Sequence, residues 1–232
     1  MKKRIDIKIP AGWRELTLEQ LLEVARVTNL TLTKNEVLFV LLCRFGGIVT
    51  TGTDGQTTHF TDKAGETFHL QEWQLFDFCK RLEWVLNTVP EDIVSPLGID
   101  GHLNNISFED FFNAEVLMYR YNTENDTRYI DEALKILGYG RRIKDDTVRR
   151  AVSIWWTGVL SYMKTLYPNV FSGDSSDEDD YDPRKTFLNI MLMLNDDRPQ
   201  DNDDICRANV HFVLSALDSR INKAKQIEKQ MK

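Results

Sequence analysis

Long hydrophobic runs are missing from this sequence. The longest strongly apolar stretch among its 232 residues is Val37 to Cys43, far short of the roughly 18 to 20 residues that cross a bilayer. No membrane span is expected, and the membrane drops out as a partner. The opening MKKRIDIKIP is basic but passes directly into alternating charged and β-branched residues, without the apolar core of a signal peptide. An intracellular protein is expected. Cysteine is scarce: Cys43, Cys79 and Cys206 are odd in number, widely separated and set among apolar neighbours. That usage suits buried free thiols in a reducing compartment and implies no disulfide framework. Basic charge is also short, with 29 Lys or Arg against 36 Asp or Glu and a net charge of -7. Binding to a phosphate backbone needs a basic surface that releases counterions, so nucleic acid is not the expected partner.

What is present is enough to fold. Hydrophobic residues make up 42% of the chain, close to the globular norm, and either one large domain or two small ones would fit the length. Helix signals dominate. Thr17 with Gln20, and Thr33 with Glu36, are capping boxes in which side chains satisfy the first free backbone N–H groups. Leu18, Leu21, Leu22 and Ala25 mark one face of the first helix, which is expected to run to about Thr28. Val37, Leu38, Leu41, Leu42 and Phe45 mark a second helix, stopping at Gly46-Gly47. The period then changes. Gly52 to Gly55 reads as a turn, and 57–70 alternates about Lys63-Ala64-Gly65 as a β-hairpin with a three-residue loop. Helix resumes through Trp73, Phe76, Phe78, Cys79, Leu82, Val85 and Leu86, and Pro90 and Pro96 bracket an irregular segment reaching Asn105.

Ser107 caps a helix bearing Phe108, Phe111, Phe112, Leu117, Met118 and Tyr121; a shorter helix with Ile130, Ala133, Leu134 and Leu137 ends at Gly138. From Thr147 the series Val148, Val152, Trp155, Val159, Tyr162 and Leu166 has the spacing of a core-facing helix, ended by Pro168. Six of the nine residues from Asp174 to Asp182 are Asp or Glu, too charged to pack. A short helix around Phe187, Ile190 and Met191, a second acidic break at 196–204, and a last helix carrying Ile205, Ala208, Phe212, Ala216 and Leu217 follow. The end of that helix, from Arg220, is basic and expected to project into solvent. The expected fold is mainly α, a multi-helix globular bundle with a short N-terminal strand and a small β-hairpin insertion. Its expected divisions are a body over 1–171, an acidic linker over 172–183 and a C-terminal helical pair over 184–232.

Catalytic chemistry finds little foothold. No glycine-rich phosphate cradle ends in Lys-Ser or Lys-Thr. Ser153, Ser161 and Ser215 fall inside helices without a nucleophile elbow, and Cys43 and Cys79 sit on apolar stripes where thiols are inert. Carboxylates cluster in charged segments, whereas a general acid needs a fixed, partly desolvated carboxyl. The acidic run lacks the calcium-loop pattern of a turn glycine and a closing Glu. If the hairpin turns on Ala64, His59 and His69 lie opposite each other on one face; two ligands do not make a metal site, and an exposed polar pair is the expected reading. No enzyme, cofactor or metal is expected.

Contact residues are the better candidates. Arg141, Arg142, Lys144, Arg149 and Arg150 form a basic cluster interrupted by Asp145 and Asp146, with Tyr139 beside it as a stacking ring. Such a cluster fits an acidic partner, and the rival reading is a nucleic-acid-binding factor using Arg141 to Arg150. Adjacent residues on a helix point about 100° apart. If Trp155 faces the core, Trp156 therefore packs elsewhere, in a second layer or at an interface.

The order of segments adds a resemblance. Ile9-Pro10-Ala11-Gly12-Trp13-Arg14-Glu15-Leu16-Thr17-Leu18-Glu19-Gln20 after an opening strand resembles the start of proteins encoded in tail-gene clusters of bacteriophages and prophages of gut anaerobes. Ser107-Phe108-Glu109-Asp110-Phe111 with Ala114-Glu115 and Tyr119, then Ile154-Trp155-Trp156-Thr157-Gly158 and Tyr167-Pro168-Asn169-Val170-Phe171, are similar to recurrent features of that group. The likeness covers about residues 1–171 and departs from the group at Gly138-Tyr139-Gly140-Arg141. It implies a non-enzymatic role in tail assembly, similar to the chaperones that keep the tape-measure protein soluble, or as a structural component. The partners it implies are phage structural proteins, the tape-measure protein among them, and further copies of the chain. The location it implies is the cytoplasm of the bacterial host or the virion.

Overall fold

The structure, a computed structural model, describes residues 7–171, 182–195 and 201–231. The chain is mainly helical, 61% helix and 10% strand, with one small antiparallel sheet of three strands. Contacts group it into two compact units, Met1–Pro96 with Asp145–Gly158, and Leu97–Lys144 with Val159–Lys232. The acidic linker expected over 172–183 falls, up to Tyr181, outside the described residues, as does the N-terminal strand expected at the start; Ile7–Pro10 are described and carry no strand.

In the first unit, α1 (Leu18–Val27) and α2 (Lys34–Gly46) start at the two capping boxes. Thr17 Oγ1 accepts from the Gln20 N–H and Gln20 Oε1 from the Thr17 N–H, and Thr33 with Glu36 repeats the pair. Gly47 ends α2 at φ +60°, a left-handed conformation that favours glycine. The chain then enters β1 (Ile48–Asp54), which pairs with β2 (Thr57–Asp62), and β2 pairs with β3 (Thr67–Gln71). The turn expected at Gly52 to Gly55 is thus mostly strand, and the hairpin is two strands of a three-stranded sheet. The signal for β1 was weak because Ile48 alone in it is buried and a register shift between Thr50 and Gly52 breaks the alternation. The β2–β3 register centres on Ala64, as expected, with Phe60 opposite Phe68 and His59 opposite His69.

Phe60 and Leu70 face α1 and α2 in a core that includes Leu21, Val24, Leu38, Leu41 and Leu42. Trp13 is part of it: its Nε1–H donates to Thr88 Oγ1 at 3.0 Å, and its ring meets Trp84 edge-on at 5.1 Å. The apolar series after β3 forms two helices rather than one, α3 (Glu72–Lys80) and α4 (Trp84–Asn87).

In the second unit, α5 (Phe108–Glu124) packs against α6 (Thr127–Ile136). Ser107 and Asp126 cap their starts, each accepting a backbone N–H from the first turn. α7 (Asp146–Leu166) belongs to both units. Its buried stripe ends on Met163 rather than Leu166, which is exposed. Phe108 and Phe112 pack with Phe187 of α8 (Pro183–Asn195), at ring separations of 5.4 and 5.5 Å. The expected last helix is two: α9 (Asn202–Arg207) and α10 (Val210–Met231). Between them the chain is extended at 208–209 because it bonds to the segment before α5. The Phe108 N–H donates to the Ala208 carbonyl at 2.8 Å and the Val210 N–H to the Ile106 carbonyl at 3.1 Å. This break re-registers the helix, so Val210, Val213, Leu214 and Leu217 are buried while Phe212 and Ala216 are exposed.

Candidate functional site

The residues singled out in the sequence do not form one site. Trp156 is 2% exposed and its ring centre lies 6.1 Å from that of Trp155. Both indoles are interior, so Trp156 offers no surface to a partner. The reason is the width of the buried arc on α7: Ala151, Val152, Trp155, Trp156, Val159 and Met163 are all buried, and an arc that broad accommodates neighbouring residues about 100° apart. Arg149 is only 6% exposed, with Nη1 on the Asp146 carboxylate at 2.5 Å. It is a structural ion pair rather than a contact residue.

The rest of the basic cluster divides between the units. Arg141, Arg142 and Lys144 are exposed in the second, where Arg142 Nε lies 3.6 Å from Asp131 Oδ2; Arg150 is half-buried in the first. Tyr139 is half-buried beyond the end of α6, its N–H donating to the Leu134 carbonyl at 2.7 Å.

His59 and His69 are exposed across β2 and β3, ring centres 6.1 Å apart. They line an open depression of about 330 Å³ with Thr51, Gly52, Thr67 and Phe68. Among the described residues, no three His, Cys, Asp or Glu side chains converge so as to hold a metal ion. The three cysteines are free and half-buried rather than fully buried. Burial pushes the Cys79 thiol up to about 11, reinforced by nearby Cys43, and burial likewise raises Cys43 and Cys206. Raised thiols are poor nucleophiles at neutral pH.

What sequence reasoning missed is apolar surface. On α3, Trp73 is 70% exposed and Phe76 67%. Leu75, Phe78 and Cys79 pack on the core of the first unit; at 100° per residue, Trp73 and Phe76 fall on the other side of the helix. A helical wheel centred on Leu75, Phe78 and Cys79 carries that signal. In the second unit α8 buries Ile190 and Met191, while Leu188, Leu192 and Met193 face solvent alongside Arg184, Lys185 and Asn189.

α10 shows the same excess. Residues 222–231 are exposed throughout. The face buried at Val210, Val213, Leu214 and Leu217 continues through Ile221 and Ala224 and is then broken by Glu228, with Met231 beyond it and Ile227 on its edge. Ile227 is 56% exposed and Met231 77%. α8 and α10 meet where Arg220 Nη1 donates to the carbonyls of Met193 and Leu194, at 3.2 and 3.4 Å. A cation there also suits the negative end of the α8 dipole. Among the described residues, no helix is long and apolar enough to cross a membrane.

Comparison with family models, curated proteins and solved structures finds no match for the chain.

Proposed function

We propose that this chain is a non-enzymatic binding or assembly protein of a bacteriophage or prophage, acting by protein–protein contact in tail assembly as a chaperone or structural component. The observation that carries this reading is the exposure of large apolar side chains on α3, α8 and α10, from Trp73 to Met231. Contiguous exposed apolar side chains on otherwise packed helices mark surfaces that a partner covers. The phage context rests on the resemblance over about residues 1–171. Its motif residues Trp13 and Trp155 are buried, which suits a shared multi-helix bundle rather than a shared active site. The partners proposed are phage structural proteins, the tape-measure protein among them, met in the cytoplasm of the bacterial host or in the virion.

The nucleic-acid reading has less support, since Arg149 is buried in an ion pair and Arg142 stands beside Asp131. Co-expression with the neighbouring genes, followed by purification in moderate salt and mass analysis, tests the proposal. Retention of a long helical tail protein is the expected result. Retention of nucleic acid, or of nothing at any salt, would remove it.

A further inference from the structure

We propose that His59 and His69 together bind one divalent ion of the Ni²⁺, Cu²⁺ and Zn²⁺ group, each imidazole giving one ring nitrogen. The inference is independent of the assembly reading. The two histidines are register partners in the β2–β3 ladder, and the ladder's hydrogen bonds decide how near they come. The Asp62 N–H donates to the Glu66 carbonyl at 3.0 Å, and the Glu72 N–H to the Gln56 carbonyl at 2.8 Å. Bonded and unbonded pairs alternate along antiparallel strands. His59 and His69 lie three residues in from either bonded pair, so they form an unbonded pair. Such pairs bring their side chains closer, with Cα atoms about 4.5 Å apart.

The surroundings leave the pair open. On the other side of His59, β1 places Gly52, which has no side chain to crowd the ring. The depression that the histidines share with Thr51, Thr67 and Phe68 is lined by no Lys or Arg. Among the described residues neither imidazole has a hydrogen-bond or ion-pair partner; His211, by contrast, has both ring nitrogens engaged, with Tyr167 Oη and the His102 carbonyl. Metal–nitrogen bonds of about 2.0–2.1 Å set two imidazoles on one ion with ring centres about 5 Å apart, against 6.1 Å between these rings. Rotation about χ1 and χ2 of two exposed side chains covers the difference of about 1 Å. The donors select the ion: neutral imidazole suits Cu²⁺, Ni²⁺ and Zn²⁺, Cu²⁺ binding most tightly, whereas Mg²⁺ takes oxygen ligands. Among the described residues no third protein ligand converges. Two imidazoles therefore build no closed cage; they chelate an ion whose remaining positions water fills.

The test uses the untagged full chain, treated with a chelator and desalted, then titrated calorimetrically with Cu²⁺, Ni²⁺ or Mg²⁺ alone. One equivalent of Cu²⁺ or of Ni²⁺ is expected to bind, Cu²⁺ the more tightly, and Mg²⁺ not at all. His59→Thr and His69→Thr each put a strand-forming residue at an exposed position, so far-UV circular dichroism should match wild type. Each is expected to weaken Ni²⁺ binding at least about tenfold, because the second imidazole acts at the effective concentration set by the first. The double variant should bind no more weakly than either single one, since one imidazole alone does not chelate. Ni²⁺ should raise the melting temperature of wild type and of neither variant. Absence of Cu²⁺ and Ni²⁺ binding, or single variants that bind as wild type, would overturn the site. Mg²⁺ bound as strongly as Ni²⁺ would reduce it to surface association of cations and overturn it as well. Loss of binding in His102→Asn with none in the sheet variants would move the ion elsewhere. Half an equivalent bound with a metal-dependent dimer would overturn the single-chain chelate.

Discussion

Tyr167 Oη lies 2.7 Å from His211 Nδ1, joining the residue after α7 to the first turn of α10. On its other side, His211 Nε2 lies 2.5 Å from the His102 carbonyl oxygen. A carbonyl only accepts, so Nε2 carries a proton, and in the neutral imidazole Nδ1 then accepts from the tyrosine hydroxyl. One imidazole thereby ties three segments of the second unit together. Tyr167→Phe keeps the ring and removes the hydroxyl; it should cost about 1 kcal/mol in urea unfolding and speed amide exchange between 102 and 106.

Asp126 accepts the Arg128 N–H at the start of α6 and pairs with the Arg128 guanidinium. Those two interactions hold its carboxyl down to about 2, the side-chain bond contributing most. A carboxyl with a depressed folded-state value stabilises above its ordinary range and loses that contribution as pH falls through the folded value. Wild type should therefore lose stability between about pH 4 and pH 2 more steeply than Asp126→Asn, as read by urea midpoints across that interval.

Cys79, raised to about 11 mainly by burial, should resist iodoacetamide at pH 8 in the native chain and react fully in urea. The sign for stability is opposite to that of Asp126: the folded state disfavours the thiolate, so the contribution is complete below about pH 8.5 and lost as pH climbs toward 11. Peptide mapping after timed alkylation at several pH values checks this.

Phe60 is fully buried and stacks on Phe68 at 5.4 Å, while Trp73, two residues past the sheet, is exposed. Phe60→Ala should cost about 3–5 kcal/mol, and Trp73→Ala should stay within about 0.5 kcal/mol. If Trp73 is a contact residue, its loss should show in partner retention without a change in melting temperature.

The sequence alone determined the local elements. Thr17, Thr33 and Ser107 start helices because their side chains satisfy free N–H groups within three residues, and Gly47 ends one because it takes a positive φ; both are properties of adjacent residues. The β2–β3 register followed from the same locality, since a loop centred on Ala64 sets His59 opposite His69 whatever surrounds them. Tertiary structure decided the rest. β1 needed β2 as a partner before Val49 and Thr50 were more than polar and β-branched residues in a row. The last helix broke at Ala208 because distant residues 106–108 took its backbone hydrogen bonds. Which apolar residues became core and which became surface was likewise a matter of neighbours. Trp156 and Trp73 are the same side chain on helices, yet one is interior and the other faces solvent, because burial depends on what packs from across the chain and a local pattern records only one side of that contact.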